Sequence, residues 1–402
     1  MLLGIVAFLI ILSVLVLIHE AGHFTVAKIF GIKVEEFGFG LPLTRAIFSV
    51  KRGETVYSLY PALIGGFVKL YGEDEAGSGT VSLKPHQLEK KDLDRAFFSK
   101  SPLQRALVIV AGVVMNVFLA AAIFYVFLFM SNFTTDLPQL NNHTFFFVTQ
   151  TNIPSEVIVE QVASGSPAEK AGITVPSRVL KLDGRAIVPD NFVNEVDKYK
   201  GKQITLTLEN QNTNKIYSVS LTPRVSPPQG QGAMGVAIGT TYAIAHLVYK
   251  TPLEKLFSGF VHPANLLVWN FESIAYLIEQ SFKQNNFAPV ANSVAGPVGI
   301  YSLVSAVVSI PNTKEAIMGL LNLSGLLSAL LAFMNVLPIP GLDGGRLLFI
   351  VIEGITGKKV NPVIEGYANT IGIAFLLLLM AVITLHDIIR LVSGQPLIPQ
   401  IK

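Results

Sequence analysis

Four stretches of this chain are long and free of charged side chains, and they constrain its fold more than any other feature. They are residues 2–18, 106–131, 316–337 and 366–385. A membrane-spanning helix needs about 20 predominantly apolar residues, with a range of roughly 17–25. The sequence therefore predicts a multi-pass α-helical membrane protein with about four transmembrane helices.

The overall composition agrees with a membrane protein and limits which partners and metal ligands the chain can use. Charged residues make up 14% of the chain, whereas soluble proteins carry about 25%. The net charge of +3 gives no sign of nucleic-acid binding. Because the chain has no cysteine, a metal site would be built from histidine and carboxylate ligands.

The basic residues predict how the chain is oriented in the membrane. The loop of residues 31–105 holds eleven Lys and Arg, and the loop after the third span holds Arg346, Lys358 and Lys359. Loops rich in Lys and Arg stay on the cytoplasmic side. We therefore expect both loops inside, and both termini and residues 132–315 outside. The first span has no basic start and no small-x-small cleavage site, so we expect a retained helix and not a signal peptide.

Two regions outside the spans are rich in β-forming residues. Residues 35–72 contain the runs AIFSV, TVYSLY and GFVKLYG around a turn-like KRGE, which predicts a small membrane-associated hairpin sheet. Its edge strand could pair with an extended peptide. Residues 153–225 alternate β-rich runs around one short helix and include GSPAEKAGI and VLKLDGRAI, which resemble a PDZ domain; an unrelated small β domain is the alternative.

The complete organisation that we predict follows the order of the chain. The segments are residues 1–34 (first transmembrane helix with HEAGH), 35–72 (membrane-associated β-hairpin region), 73–105 (cytoplasmic loop), 106–131 (second transmembrane helix), 153–225 (one inserted PDZ-like domain), 240–310 (amphipathic helical connector), 316–350 (third transmembrane helix with the LDG motif) and 366–392 (fourth transmembrane helix).

The sequence HEAGH at residues 19–23 ends the first apolar run and carries the main chemical signal. Residues four apart lie on the same face of a helix, one turn apart, so His19 and His23 can bind the same ion. Glu20 lies beside them, within reach of a water at that ion. Charged groups at membrane depth cost about 2.5–3.5 kcal/mol each on insertion scales, which favours a function. Two histidines that merely satisfy backbone groups are the alternative.

Catalytic zinc usually takes three protein ligands, and the spans offer few acids for the third. Asp343 stands out in MNVLPIPGLDGGRLL, just after the third span. Pro338 and Pro340 must break the helix there. His19 lies about 25 Å along the first span at 1.5 Å per residue. The third span runs in the same direction, so Asp343 reaches a similar depth. A helix cap or turn residue is the alternative role for Asp343.

These motifs together resemble the site-2 protease family, and within it the bacterial regulator-of-sigma-E protease type. The resemblance rests on HEAGH in the first span, GFG followed by GGFVKLYGE, SPLQRALVIVAGVVMN at the second span, the PDZ-like insert, and NVLPIPGLDGG near the third span. It runs nearly end to end, and the pairing of HExxH with LDG is specific.

The resemblance implies a zinc-dependent endopeptidase that cuts transmembrane segments. It implies zinc held by His19, His23 and Asp343, with Glu20 as general base. Asn335 and Asn116 match family positions and are expected to bind substrate, although a hydrogen bond between helices is the alternative for both.

The resemblance also implies the setting in which the protein works. The expected location is the bacterial cytoplasmic membrane, with the active site near the cytoplasmic side. The expected partners are single-span substrates already trimmed by an upstream site-1 protease, and the lipid bilayer.

The chain departs from the family in three ways. We find one PDZ-like unit where many relatives have two, GVVMN replaces a proline-containing motif, and residues 240–310 have no clear counterpart. Two other functions compete with a protease. A membrane scaffold would use the PDZ-like domain without catalysis, and a metal transporter would use ligands at membrane depth. Transporters usually place several acids across their spans, and these spans hold essentially one cluster.

Overall fold

The structure is a computed structural model that describes residues 2–42, 44–73, 90–139, 143–187, 189–241 and 243–394. The chain forms two compact units. The membrane unit comprises the residues up to Phe133 and those from Lys250 onward, and the β unit comprises Thr134–Tyr249.

The membrane unit is mostly helical, and the β unit contains two short helices. In chain order the helices are α1 (Leu2–Ile29), α2 (Pro102–Met130), α3 (Pro167–Lys170), α4 (Phe192–Asp197), α5 (Pro252–Gln284), α6 (Ala288–Ser293), α7 (Pro297–Val308), α8 (Thr313–Val336), α9 (Asp343–Thr356) and α10 (Pro362–Val392).

Within the described residues the strands form three sheets, one in the membrane unit and two in the β unit. In chain order they are β1 (Val34–Leu41), β2 (Phe48–Arg52), β3 (Thr55–Leu59), β4 (Ala62–Leu70), β5 (Thr134–Pro138), β6 (Thr149–Ile153), β7 (Val157–Val162), β8 (Ser177–Leu182), β9 (Arg185–Ala186), β10 (Ile204–Asn210), β11 (Lys215–Leu221), β12 (Val236–Thr240) and β13 (Ile244–Val248).

Four helices within the described residues are long and apolar enough to cross a membrane, namely α1, α2, α8 and α10. The chain is therefore a membrane protein with an additional β unit. Helix α2 lies at the centre of the membrane unit and packs against α1, α5, α8 and α9. It starts at a capping box, in which Ser101 and Gln104 exchange side-chain and backbone hydrogen bonds and Pro102 takes the first helical position.

The segment of residues 316–350, predicted as the third transmembrane helix with the LDG motif, contains the break that Pro338 and Pro340 predict. Helix α8 ends at Val336 and a second helix, α9, begins at Asp343. Pro338 and Pro340 cannot donate backbone hydrogen bonds, so the helix stops before them. The chain then turns at Gly341, whose φ of +93° favours glycine.

The sheet of the membrane unit has the strand order β2-β3-β1-β4. The predicted hairpin joins β2 and β3 through Gly53, but the prediction for residues 35–72 missed β1, which lies between β3 and β4. Its sequence VEEFGFGL contains glycines, which weaken strand propensity. The structure explains one of them, because a Cβ on Gly38 would lie 2.2 Å from the ring of Phe67.

Between this sheet and α2, the described chain forms short 3-10 turns at Lys90–Arg95 and Phe97–Ser99. They fall within the predicted loop of residues 73–105. Residues 74–89 of that loop lie outside the described part of the chain.

The β unit differs from the predicted bounds of 153–225. Its larger sheet has the order β11-β10-β8-β7-β12 with β9 beside β8, so it continues to Thr240. Strand β6 pairs with β13 and belongs to a second sheet, β5-β13-β6. Buried aliphatic side chains from β7, β8 and β10 form the core, together with Phe192 of α4.

The predicted helical connector of residues 240–310 is wrong at its start, because β13 occupies Ile244–Val248. From Pro252 onward the segment is helical, as α5, α6 and α7. The short run IAHLV acquires its strand form by pairing with β5 and β6, which are distant in sequence, and a local pattern cannot show such pairing.

Candidate metal centre

Helix α1 continues through HEAGH and places His19 and His23 on one buried face. The two Nε2 atoms lie 3.2 Å apart. Asp343, the first residue of α9, brings its Oδ2 atom to 3.0 Å from His19 Nε2 and 3.2 Å from His23 Nε2. The structure therefore brings together three potential ligand atoms from the two ends of the chain.

The loop before α9 fixes the position of Asp343 by close backbone packing. A Cβ on Gly344 would lie 2.1 Å from the carbonyl oxygen of Leu337, so only glycine fits there. The backbone N–H of Gly341 donates to Asn369 Oδ1 of α10 at 3.2 Å. Gly372 of α10 lies against Pro340, where a Cβ would be 1.9 Å from the carbonyl oxygen. Helix α10 thus supports the loop that carries Asp343.

Helix α2 packs closely behind the two histidines. A Cβ on Gly22 would lie 2.4 Å from the carbonyl oxygen of Ala111, and one on Gly112 would lie 2.5 Å from His23 Nε2. His23 Nδ1 lies 2.8 Å from the carbonyl oxygen of Val108. A carbonyl can only accept, so Nδ1 carries the proton and Nε2 presents its lone pair to the cluster.

Asn116 of α2 lies against His19 and is fully buried. Its Nδ2 is 3.2 Å from His19 Nδ1, while its Oδ1 has no hydrogen-bond partner among the described residues. A half-turn of the amide would bring Oδ1 to His19 Nδ1, where it could accept a hydrogen bond from the Nδ1–H group. This orientation satisfies the buried oxygen and leaves Nε2 of His19 unprotonated, as a ligand must be.

Asn335, the second predicted substrate-binding residue, lies in the last turn of α8. It is half-buried, and within the described chain its side chain makes no hydrogen bond. The structure therefore brings Asn116 to the histidine cluster and does not bring Asn335 into contact with it.

Glu20 faces a cavity of about 190 Å³ beside the cluster, which His23 and Asp343 also line. Strand β4 contributes Phe67, Val68 and Leu70 to the wall. Successive side chains of a strand point to opposite faces. A cavity that reaches Phe67 and Val68 together therefore lies along the edge of β4.

Strand β4 pairs with β1 alone within the described residues, so its other edge, here called the free edge, opens into this cavity. Gly66 of β4 lies close to Glu20, since a Cβ there would be 3.4 Å from Glu20 Cγ. An unpaired strand edge and an acidic side chain thus share one cavity with the histidine cluster.

Several residues of the site carried no recognised signal in the sequence. Gly112 and Val108 act through helix packing, and Asn369 acts through a contact distant in sequence. Glu73 and Arg346 form an ion pair with atoms 2.5 Å apart in the cavity wall. Spacing along the helix could have found only Arg346, because it lies one turn after Asp343 on the same face of α9.

The cluster fits a zinc ion. Oxygen and nitrogen ligands at 2.0–2.2 Å in a tetrahedron lie about 3.3–3.6 Å apart. The three atoms are 3.0–3.2 Å apart, so they need to separate by only a few tenths of an ångström. Asp343 Oδ2 lies at ion-pair distance from both rings, yet it is buried and receives no hydrogen bond of good geometry. The Asp343 oxygen is thus unsatisfied beside two ring nitrogens that lie within hydrogen-bond distance of each other, and an ion shared by all three atoms would satisfy it.

A His–His–Asp cluster with an adjacent glutamate, set among membrane-spanning helices, defines a membrane-embedded metalloprotease. The comparisons agree with this class. The profile of peptidase family M50 matches residues 7–379. A protein of Clostridium perfringens named as a zinc metalloprotease is 32% identical over 378 residues, which cover 94% of this chain and 96% of that protein.

Two relatives from Bacillus are similar over the same extent. The regulator of sigma-W protease RasP of Bacillus subtilis is 29% identical and covers 96% of this chain and 98% of its own length. The zinc metalloprotease RasP of Bacillus licheniformis is 28% identical, with 96% and 99% covered. The chain belongs to peptidase family M50, and it is a site-2-type metalloendopeptidase whose cofactor is zinc.

Proposed function

We propose that this protein cuts peptide bonds within the transmembrane segments of single-span membrane proteins. One observation carries the proposal: the cluster of His19, His23 and Asp343, with Glu20 beside it, lies between apolar helices and shares its cavity with the free edge of β4. A protease that acted only on soluble chains would not need these groups at membrane depth, where they are costly.

In this proposal His19, His23 and Asp343 hold the zinc ion. The chemistry that zinc supplies in such sites is Lewis-acid activation of water and of the scissile carbonyl. Glu20 is the general base. It takes a proton from the attacking water and then delivers it to the nitrogen of the leaving amine. His23 is held by the Val108 carbonyl, which keeps its Nε2 lone pair directed at the metal position.

We assign Asn116 a positioning role in place of substrate binding. Its contact with His19 Nδ1 supports this change, because the amide can fix the orientation and the protonation of the ring. Asn335 remains a candidate for contact with substrate near the metal, and its half-buried position without a hydrogen bond in the described chain allows such a contact.

The substrate must leave its helical form before it can be cut, because a helix uses its carbonyl groups in internal hydrogen bonds. Pairing with the free edge of β4 would replace those hydrogen bonds, as extended peptides do when they add to a sheet. We therefore expect substrates with helix-destabilising residues near the cut. Their cut should fall near the cytoplasmic side, since the basic loops predict that HEAGH lies on that side.

The β unit would then act on the outer side of the bacterial cytoplasmic membrane. We propose that it is PDZ-like and limits access to substrates that an upstream protease has already shortened. The name of the Bacillus subtilis relative, regulator of sigma-W protease, supports a role in signalling through anti-sigma-factor-like substrates. Remnant signal peptides are a second candidate substrate. Deleting the β unit should allow untrimmed substrates to be cut; unchanged selectivity would contradict the filter.

The experiment that tests the proposed activity replaces Glu20 with glutamine. Purified wild-type protein should cut a single-span substrate in detergent or vesicles, and Glu20→Gln should lose the cut while it keeps its bound zinc. Glu279→Gln is the matched control, because Glu279 is exposed on α5 and pairs with Lys283 at the surface. A scaffold or a transporter would keep its activity in Glu20→Gln, and undiminished cleavage by that variant would refute the proposal.

A further inference from the structure

Glu73 bridges the end of β4 and the helix that carries Asp343. It lies three residues beyond β4, and its Oε2 accepts a hydrogen bond from the backbone N–H of Leu70 at 3.2 Å. Its Oε1 accepts from Arg346 Nη2 at 2.5 Å. Arg346 lies on α9, one turn after Asp343. Both charged side chains line the cavity that contains Glu20.

The N–H group that Glu73 occupies belongs to the free edge of β4. The next residue, Tyr71, donates its N–H to the carbonyl oxygen of Lys33, which immediately precedes β1. Because backbone N–H groups alternate in direction along a strand, the N–H of Leu70 points away from β1. Val68 and Gly66 then also direct their N–H groups to the free edge, where a substrate strand would pair.

Glu73 therefore ends the part of the free edge that can accept another strand. Leu70 lies four residues beyond Gly66, which is the position next to Glu20. At about 3.3 Å per residue this is about 13 Å. A substrate strand that pairs with β4 can extend past Glu20 by this distance and then meets an N–H that is already bonded.

Arg346 holds the carboxylate of Glu73 at this position. The side chains of Glu73 and Arg346 are 14% and 21% exposed, so loss of either partner would leave the other charge poorly solvated. The guanidinium of Arg346 also lies 6.0 Å from the ring centroid of Phe97, which limits its movement.

We propose that Glu73, held by Arg346, is a stop that sets the register of the substrate strand on β4 and so selects the bond presented to Glu20. Both are positioning residues, because neither touches the reacting atoms. The inference rests on the proposed function, and in particular on strand pairing at β4. A strand that slips by one residue exposes the opposite face, whereas a slip of two keeps the same face, so loss of the stop should permit slips of two residues.

The test maps the cut bonds by mass spectrometry, with full-length protein and a single-span substrate that the wild type cuts at one main bond. Glu73→Ala and Arg346→Leu should add cuts displaced by two residues from that bond. Arg346→Lys, which keeps the charge, should retain more of the original cut than Arg346→Leu. Bound zinc should stay at the wild-type level in all three variants, because none removes a proposed ligand.

Glu353→Gln is the matched control. Glu353 also lies on α9 and forms an ion pair with Arg105 at 2.5 Å that is at least as buried as that of Glu73 and Arg346, but it does not line the cavity of Glu20. The Glu353→Gln variant should cut the substrate only at the bond that the wild type cuts. If Glu73→Ala and Arg346→Leu also cut only that bond, or if Glu353→Gln spreads the cuts equally, the stop is refuted.

A proline variant shows whether a negative result refutes only the stop at Glu73 or strand pairing at β4 as a whole. Val68→Pro removes one N–H from the free edge without touching the hydrogen bonds to β1. It should reduce cleavage strongly. Unchanged cleavage by Val68→Pro would refute strand pairing, and the stop with it. Strong loss in Val68→Pro together with an unchanged cut site in Glu73→Ala would refute the stop alone.

Discussion

Replacing Gly112 with alanine puts a methyl group into the contact between α2 and the two histidines. The added Cβ would lie 2.5 Å from His23 Nε2 and 2.7 Å from His19 Cε1. An ordinary contact is about 3.4 Å or longer, so the overlap with His23 is about 0.9 Å. The ring of His23 cannot simply turn away, because the Val108 carbonyl holds its other nitrogen at 2.8 Å.

The expected cost follows from this overlap. Metal–ligand distances tolerate about 0.2 Å, and a misplacement of about 1 Å in a catalytic site can reduce the rate about 10²-fold. We therefore expect Gly112→Ala to lower kcat/KM by about 10²-fold and to lower bound zinc per chain, although alanine favours a helix by about 1 kcal/mol over glycine. Cleavage of a single-span substrate and metal analysis of the purified protein measure the two effects.

Gly366→Ala is the control for this prediction. Gly366 also lies in a membrane-spanning helix, α10, and a Cβ there meets nothing within 4 Å. This variant should keep both its zinc and its activity. If folded Gly112→Ala protein retained zinc and stayed within about twofold of wild-type kcat/KM, the two helices could separate without disturbing the site, and the packing argument would be refuted.

Three further predictions concern the neighbours of the site and the metal. Asn116→Leu should weaken zinc binding by about 10–100-fold, because it removes the hydrogen-bond partner of His19, whereas Asn116→Asp should largely retain it; equal affinities in a chelator competition would contradict the positioning role. Burial alone raises the pKa of Glu54, but hydrogen bonds from Lys28 and Arg95 outweigh this and lower the pKa. The stability from this pairing is then present above the ordinary pKa of about 4.3 and is lost as the pH falls through the lowered value. The thermal unfolding midpoint of the wild type should thus fall more than that of Glu54→Gln as the pH drops below about 5. Parallel curves of midpoint against pH would contradict this contribution of Glu54. Finally, free zinc at about 100 times its Kd should stabilise the protein by about 2.7 kcal/mol over the chelated form, and an unfolding midpoint insensitive to chelation would speak against zinc bound only by the folded state.

The sequence predicted best the features that depend on local properties. The four spans follow from runs of apolar residues, and each lies on a helix that is long enough to cross the membrane. The hairpin of β2 and β3 follows from β-rich runs around Gly53. The helix-breaking effect of Pro338 and Pro340 was also predictable, but the new helix that begins at Asp343 was not, since nothing in the spacing distinguishes it from a continued loop.

The errors share one physical cause, which is pairing between segments distant in sequence. Strand β1 contains glycines and forms because β3 and β4 enclose it, with Phe67 over Gly38. Strands β12 and β13 are short runs that gain their form from β7 and from β5 and β6. Substrate contact at Asn116 stays a prediction, and the alternative of a hydrogen bond between helices agrees with its contact with His19 where α1 and α2 cross.

By itself the sequence determined which segments enter the membrane and which chemical groups go with them, because hydrophobic length and helical spacing are properties of a single segment. It could also place Asp343 near the depth of His19 by counting residues along spans of the same direction. Only the tertiary structure decided that the three candidate ligand atoms lie 3.0–3.2 Å apart, and that Glu73, held by Arg346, occupies the N–H of Leu70 at the free edge of β4. Such distances depend on how glycines allow helices and loops to approach, and this close packing arises only when distant parts of the chain come together.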